Sequence, residues 1–193
     1  MYLAEGKEFY KGIHFIPGLK LFTAYGVADQ DAELRGFLKD NVNIHEDDAW
    51  FICGEIDVRW YIPSKSRDNG NTIQQEIDIV LARYLGYLQK LNADWPILAV
   101  TSIIPPPVNV APHLEDIGVN LSLETRVSLT KEFNRRLGLA AIKAGIRYLD
   151  IYSLLSREDG AHKPELVSAD GLHYNFIGDK VVDRFNLGAG YGF

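Results

Sequence analysis

Two short stretches of this 193-residue chain carry residue types at spacings that can do chemistry. In DGLH, Asp170 and His173 stand three residues apart. At that spacing a carboxylate can accept from one ring nitrogen, fix the tautomer and leave the other nitrogen facing a substrate, which is the base-and-orienter half of a hydrolytic triad. The bland alternative is an acid capping a turn or helix beside a surface histidine. The second stretch, GEIDVR, follows the apolar run AWFIC and sets Glu55, Asp57 and Arg59 on alternate residues behind Gly54. A charge at the end of a buried strand is costly unless it is paired or used. On an extended backbone the three side chains share one face. Arg59 then either bridges the two carboxylates and stiffens the strand-to-loop transition, or offers planar donors to an oxyanion, a carboxylate or a sugar hydroxyl at the rim of a cleft. Trp60 and Tyr61 follow, aromatics that suit a sugar face or simple packing.

Elements elsewhere in the chain must bring these stretches together. AWFIC (Ala49–Cys53), PILAVTSII (Pro96–Ile104) and IRYLDIY (Ile146–Tyr152) read as short strands covered on both faces. VADQDAELRGFLKDN reads as a helix with Ala28, Leu34, Phe37 and Leu38 on its buried stripe. From Ile73 to Leu91, Ile73, Ile77, Val80, Leu81, Tyr84 and Leu88 recur at helical spacing. A further helix is capped by Ser122, carries Leu129, Phe133 and Leu137, and stops at Gly145. Phe176 to Phe185 forms a closing amphipathic helix, and Ile13 to Phe22 is apolar around a Pro-Gly turn. SKSRDNGN reads as a polar loop, and Val108 to Leu121, behind three prolines, as a long one. Alternating strands and helices predict an α/β domain with a mainly parallel central sheet and helices on both faces. Such a sheet binds ligands beyond the carboxyl ends of its strands, where GEIDVR falls directly and DGLHYN precedes the last helix.

Composition narrows the classes. Apolar residues make up 47% and charged residues 24%, ordinary for a globular domain, and the net charge of −6 offers no basic surface for nucleic acid. The single cysteine, Cys53, excludes an internal disulfide, no apolar run is long enough for a membrane span, and the first residues lack an apolar signal core. A cytoplasmic protein is therefore expected. His14, His45, His113 and His162 show no metal-ligand spacing, and GAGYGF has no helix behind it to seat a phosphate, so no metal and no cofactor are expected.

GEIDVR followed by DGLHYN resembles the SGNH (GDSL-type) hydrolase superfamily, and within it the branch whose third block reads G-E-I-D-x-R. TAYG (Thr23–Gly26) and SIIPPP are similar to further segments of that branch, so the resemblance runs over residues 13–186. It implies one flavodoxin-like three-layer α/β/α domain over residues 1–193 and hydrolysis of esters, often acyl groups on lipids or sugars. Carried over by motif, His173 is the general base and Asp170 its orienter. Gly54 is the third-block glycine and Asp57 closes that block, with Gly54, Glu55, Asp57 and Arg59 on the substrate side. Ile56 stands where the common pattern has an Asn that donates to the oxyanion. No Ser occurs before Ser64, so the Gly-Asp-Ser block is absent. AEGKEFY (Ala4–Tyr10) is its positional equivalent, with Glu5 or Glu8 near the nucleophile position, and Cys53 and Thr23 are the neighbouring thiol and hydroxyl. Two expectations stand. One is an ester hydrolase that works through a His–Asp base on a small-molecule or carbohydrate ester, its first strand and nucleophile block degenerate or missing from this chain. The other is a catalytically inactive SGNH-like binding or scaffold protein. A short first strand would leave a sheet edge for a second copy to cover, giving a homo-oligomer.

Overall fold

The computed structural model describes residues 8–10, 13–14, 23–45, 49–95, 98–109 and 121–166. Two short strands, β1 (Glu8–Tyr10) and β2 (Ile13–His14), pair antiparallel. A 3-10 turn at Val27–Gln30 leads into α1 (Asp31–Asn41). Then come β3 (Ala49–Phe51), α2 (Ile62–Asn69), α3 (Ile73–Asp94), β4 (Leu98–Thr101), α4 (Leu123–Lys143), β5 (Arg147–Leu149) and α5 (Tyr152–Leu155). The stretches Ala4–Lys7 and Phe15–Phe22, most of the long loop after Val108, the closing helix expected at Phe176–Phe185, and both Asp170 and His173 lie outside the described residues.

β3, β4 and β5 form a parallel sheet with β4 in the centre, and its register explains the two-sided burial. Phe51, Val100 and Tyr148 stand in one row across the strands and belong to, or pack on, the main core. That core joins Ile77, Val80, Tyr84 and Leu88 of α3 to Phe133 and Leu137 of α4. Because side chains alternate along a strand, Trp50 points to the other face. There it packs on a second cluster of Ile151, Leu155 and Leu166. Apolar layers on both sides of a parallel sheet give the three-layer α/β/α arrangement expected of the alternating pattern.

Local chemistry sets the helix ends. Thr72 and Gln75 form a reciprocal capping box at the start of α3, with Gln75 N–H on Thr72 Oγ1 at 3.2 Å and Thr72 N–H on Gln75 Oε1 at 2.8 Å. Ser122 Oγ accepts from Thr125 N–H at 3.1 Å, and Gly145 follows α4 with φ +71°. The polar stretch SKSRDNGN is a helix rather than a loop: most of it is α2, which stops at Gly70, again with positive φ. It carries no apolar stripe because only Ile62 and Ser64 of α2 are buried. The helix is inherited from the turn ahead of it, a wide π turn at Asp57–Tyr61 closed by Ile62 N–H on Asp57 C=O. Pro63 comes next, with no N–H to give and a ring that crowds the preceding turn, and a widened turn takes up that misfit.

One buried amide ties α4 to the end of the central strand. Asn134 Nδ2 donates to Ile103 C=O at 3.1 Å, while its Oδ1 accepts from Ile103 N–H at 2.8 Å. Both backbone groups lie beyond the sheet ladder, so the side chain satisfies what the ladder no longer can. Replacing it by alanine is expected to lower the free energy of unfolding by about 3 kcal/mol, read as a reduced urea midpoint with an unchanged slope.

Candidate functional site

The site is built outward from the carboxyl end of β3. Gly54 adopts φ +116°, and a Cβ there would lie 2.9 Å from the Phe133 ring and 3.0 Å from Ile103. Only glycine fits both the conformation and the space. This residue turns the chain from strand to helix, so Glu55, Asp57 and Arg59 ride on helical backbone and not on an extended one. The expected shared face is thereby split. Glu55 and Arg59, one turn apart, pair at 3.3 Å on the partly exposed side. Asp57 points the other way and has no exposed surface. Arg59 therefore does not bridge two carboxylates.

Asp57 is used instead on the backbone of a turn more than thirty residues earlier. Its Oδ2 accepts from Ala24 N–H at 2.6 Å and its Oδ1 from Tyr25 N–H at 3.1 Å. The turn is further braced from within and from α3. Thr23 Oγ1 accepts from Gly26 N–H at 2.8 Å. Arg83 Nε donates to Tyr25 C=O at 2.6 Å, and its guanidinium lies 4.5 Å from the Tyr25 ring centroid and pairs with Asp29. Tyr25 stacks on Tyr61 at 4.5 Å between centroids. The segment joined to the third block is thus TAYG. Arg83 belongs to no motif: it reaches this turn from α3 through a backbone carbonyl and the distant Asp29 carboxylate.

Electrostatics sort the candidate nucleophiles. Cys53 is buried, and burial, with the nearby Asp57 charge, pushes its thiol up to about 12 against the lowering effect of the Tyr84 hydroxyl. A thiol held that high supplies almost no thiolate at neutral pH. The Thr23 hydroxyl accepts a hydrogen bond within its own turn. Ile56, in the first turn after Gly54, offers only its backbone. Asp57 itself is pushed upward by burial, with the N–H groups of Tyr25 and Ala24 pulling the opposite way.

The neighbouring strand ends are equally ordered. Ser102 Oγ accepts from Ile151 N–H and Tyr152 N–H, each at 2.8 Å, and donates to Asp150 Oδ1 at 3.2 Å. Ser102 opens the SIIPPP segment, whereas Asp150 belonged to no motif and is marked only by its place at a strand end. Among the described residues no group of His, Cys, Asp and Glu is arranged to hold a metal ion, and no helix is long and apolar enough to cross a membrane.

No family model matches this sequence, and no curated protein does. Solved structures do match. A GDSL-like lipase from Bacteroides thetaiotaomicron VPI-5482 superposes with a TM-score of 0.54 at 18% identity, over 87% of this chain and 70% of its own. A candidate acylhydrolase from Bacteroides fragilis NCTC 9343 gives the same TM-score and identity, over 87% of this chain and 69% of its own. The chain has the fold of the SGNH (GDSL-like) hydrolases, as the GEIDVR and DGLHYN stretches led one to expect.

Two outcomes test this geometry. Gly54→Ala is expected to cost about 3 kcal/mol, since left-handed strain and overpacking on Phe133 each contribute roughly 1–3 kcal/mol. Adding Phe133→Leu should restore only the packing part, as read from paired urea titrations. The folded pKa of Asp57 lies above its ordinary value of 3.8. Its stabilising contribution is therefore full below the unfolded pKa and is lost as pH rises through the folded one. The stability advantage of the wild type over Asp57→Asn should shrink as pH rises above the ordinary value of 3.8. A widening gap would show that hydrogen bonding, and not burial, dominates this carboxyl group.

Proposed function

We propose that this protein is an SGNH-type ester hydrolase acting on a small-molecule or carbohydrate ester, for example the O-acyl groups of a sugar. His173 is the general base and Asp170 holds its ring; Gly54, Glu55 and Arg59 line the substrate side, and Asp57 supports the site from behind. His173 takes the proton of the attacking oxygen and delivers it to the departing alkoxide, while Asp170 steadies the transient imidazolium. The observation that carries this proposal is the Asp57 clasp, which fixes the TAYG turn against the GEID helix at the carboxyl end of a parallel strand in this fold. A second support concerns reach. Leu166, four residues before Asp170, belongs to the cluster on which Trp50 packs, and Trp50 is four residues before Gly54. Four residues span at most about 14 Å, so the two stretches start from neighbouring ground. A cytoplasmic setting and association of copies along a sheet edge belong to the same proposal.

One observation favours a catalytically silent binding protein instead: burial pushes the Cys53 thiol beside the third block up to about 12, so it supplies almost no thiolate at neutral pH. Hydrolysis of p-nitrophenyl acetate and of O-acetylated sugars, compared with His173→Ala, separates the two. A hydrolase should lose at least about a hundredfold in kcat/KM on losing its base. Absence of turnover by wild-type protein at high concentration would leave the binding protein standing. Turnover indifferent to His173→Ala would remove His173 from the chemistry.

A further inference from the structure

A buried acid holds the junction between α2 and α3. Glu76, in the first turn of α3, is only 2% exposed. Its Oε1 accepts from Asn69 Nδ2 at 3.2 Å and from Asn71 Nδ2 at 2.8 Å. Both donors are neutral amides, and they replace the water that burial removes. Ser66 Oγ donates to Asn71 C=O at 2.7 Å, and Gly70 N–H donates to Ser66 C=O at 3.1 Å, which closes α2 on the same junction. α2 itself runs straight out of the Asp57–Tyr61 turn and packs on α3.

The same residues are arranged for a covalent change. Asn69–Gly70 is the only Asn-Gly pair in the chain, and both residues are exposed. Apart from its chain neighbours, a Cβ at Gly70 would meet nothing within 4 Å. No neighbour therefore obstructs the Gly70 nitrogen when the last turn of α2 opens. That nitrogen, once released from Ser66, can attack Asn69 Cγ. A C–N bond forms, the Cγ–Nδ2 bond breaks, and ammonia leaves with the proton from Gly70 N. Water then opens either carbonyl–nitrogen bond of the cyclic imide, which leaves aspartate or isoaspartate in place of Asn69. Asn71 carries the same side chain two residues on, but Thr72 follows it. Thr72 is β-branched, and its N–H is held by Gln75 Oε1 at 2.8 Å. One open asparagine thus stands beside one guarded asparagine.

We propose that Asn69 is a site of spontaneous deamidation, and that the carboxylate formed there opens the α2–α3 junction against Glu76. The consequence follows from the loss of a donor. The new group accepts where Asn69 donated, and it brings a negative charge to the rim of a buried one. Isoaspartate also adds a main-chain carbon, at the residue whose successor caps α2. The chemistry consumes only water, and it is independent of the ester-hydrolase reading.

The test uses the full chain in two arms. Native protein and guanidinium-unfolded protein are incubated at mildly alkaline pH, and peptide mass spectrometry locates each amide-to-acid conversion. In the native protein conversion should accumulate at Asn69 and not at Asn71, more slowly than in the unfolded chain. Native protein without conversion at Asn69, over the time in which the unfolded chain converts fully, overturns the site. The second arm reads stability by urea titration. Asn69→Asp should lower the folding equilibrium constant about tenfold. In a Glu76→Gln background, where no charge faces position 69 from α3, the same substitution should cost less than about threefold. Should Glu76→Gln fail to fold, Asn69→Ala, which removes the donor and adds no charge, serves instead and should cost less than Asn69→Asp. An Asn69→Asp protein as stable as wild type overturns the proposal, as does an equal loss in the comparison used.

Discussion

A single buried carboxylate, Asp57, organises the described end of this molecule. It has no exposed surface and, among the described residues, no cationic hydrogen-bond partner; it spends its oxygens on two successive backbone N–H groups of a distant turn. The charge is tolerated because those donors replace lost hydration, and the balance remains uneven, since burial still pushes the group upward. Everything placed near it follows. Gly54 must turn the chain so that the acid aims inward. The π turn must carry Tyr61 under Tyr25, and Arg83 must hold the far side of the same turn.

Among the described residues the sheet behind this arrangement has three parallel strands of three or four residues. Strands so short bring little of their own to stability. The long helices α3 and α4 supply most of the apolar surface, and polar side chains join strand ends to helices. Asn134 and Ser102 are the two clearest cases: each satisfies a pair of backbone groups just past the ladder, one on α4's side and one at the start of α5. Strand ends that face a ligand need such local satisfaction, because neither water nor a further strand provides it there.

Much of this fold was legible in the sequence, for identifiable reasons. The three apolar runs became β3, β4 and β5, and Ser122 and Gly145 bounded α4 because caps and left-handed stops depend on residue type. The helical start at Glu55 was not legible. VRWYIPSKSRDN has no clean period, contains a proline, and is helical because Gly54 and Asp57 set its direction. The alternate spacing of Glu55, Asp57 and Arg59 therefore suggested a shared face that helical backbone divides. The partners of Asp57 were invisible for another reason: they are backbone groups, which every residue has. Motif resemblance singled out GEIDVR, but not that its Asp57 grips the Ala24–Tyr25 amides.

The clasp between Asp57 and the Ala24–Tyr25 amides closes a chain of 33 and 32 residues, within which α1 and β3 lie. The entropy of closing such a loop grows only with the logarithm of its length, so doubling it would cost about 0.6 kcal/mol. The intervening chain can thus lengthen or shorten at small thermodynamic expense while the same two amides meet the same acid. Insertions and deletions between Asn41 and Ala49 are consequently nearly neutral for this junction, and length divergence there leaves the gripping geometry untouched.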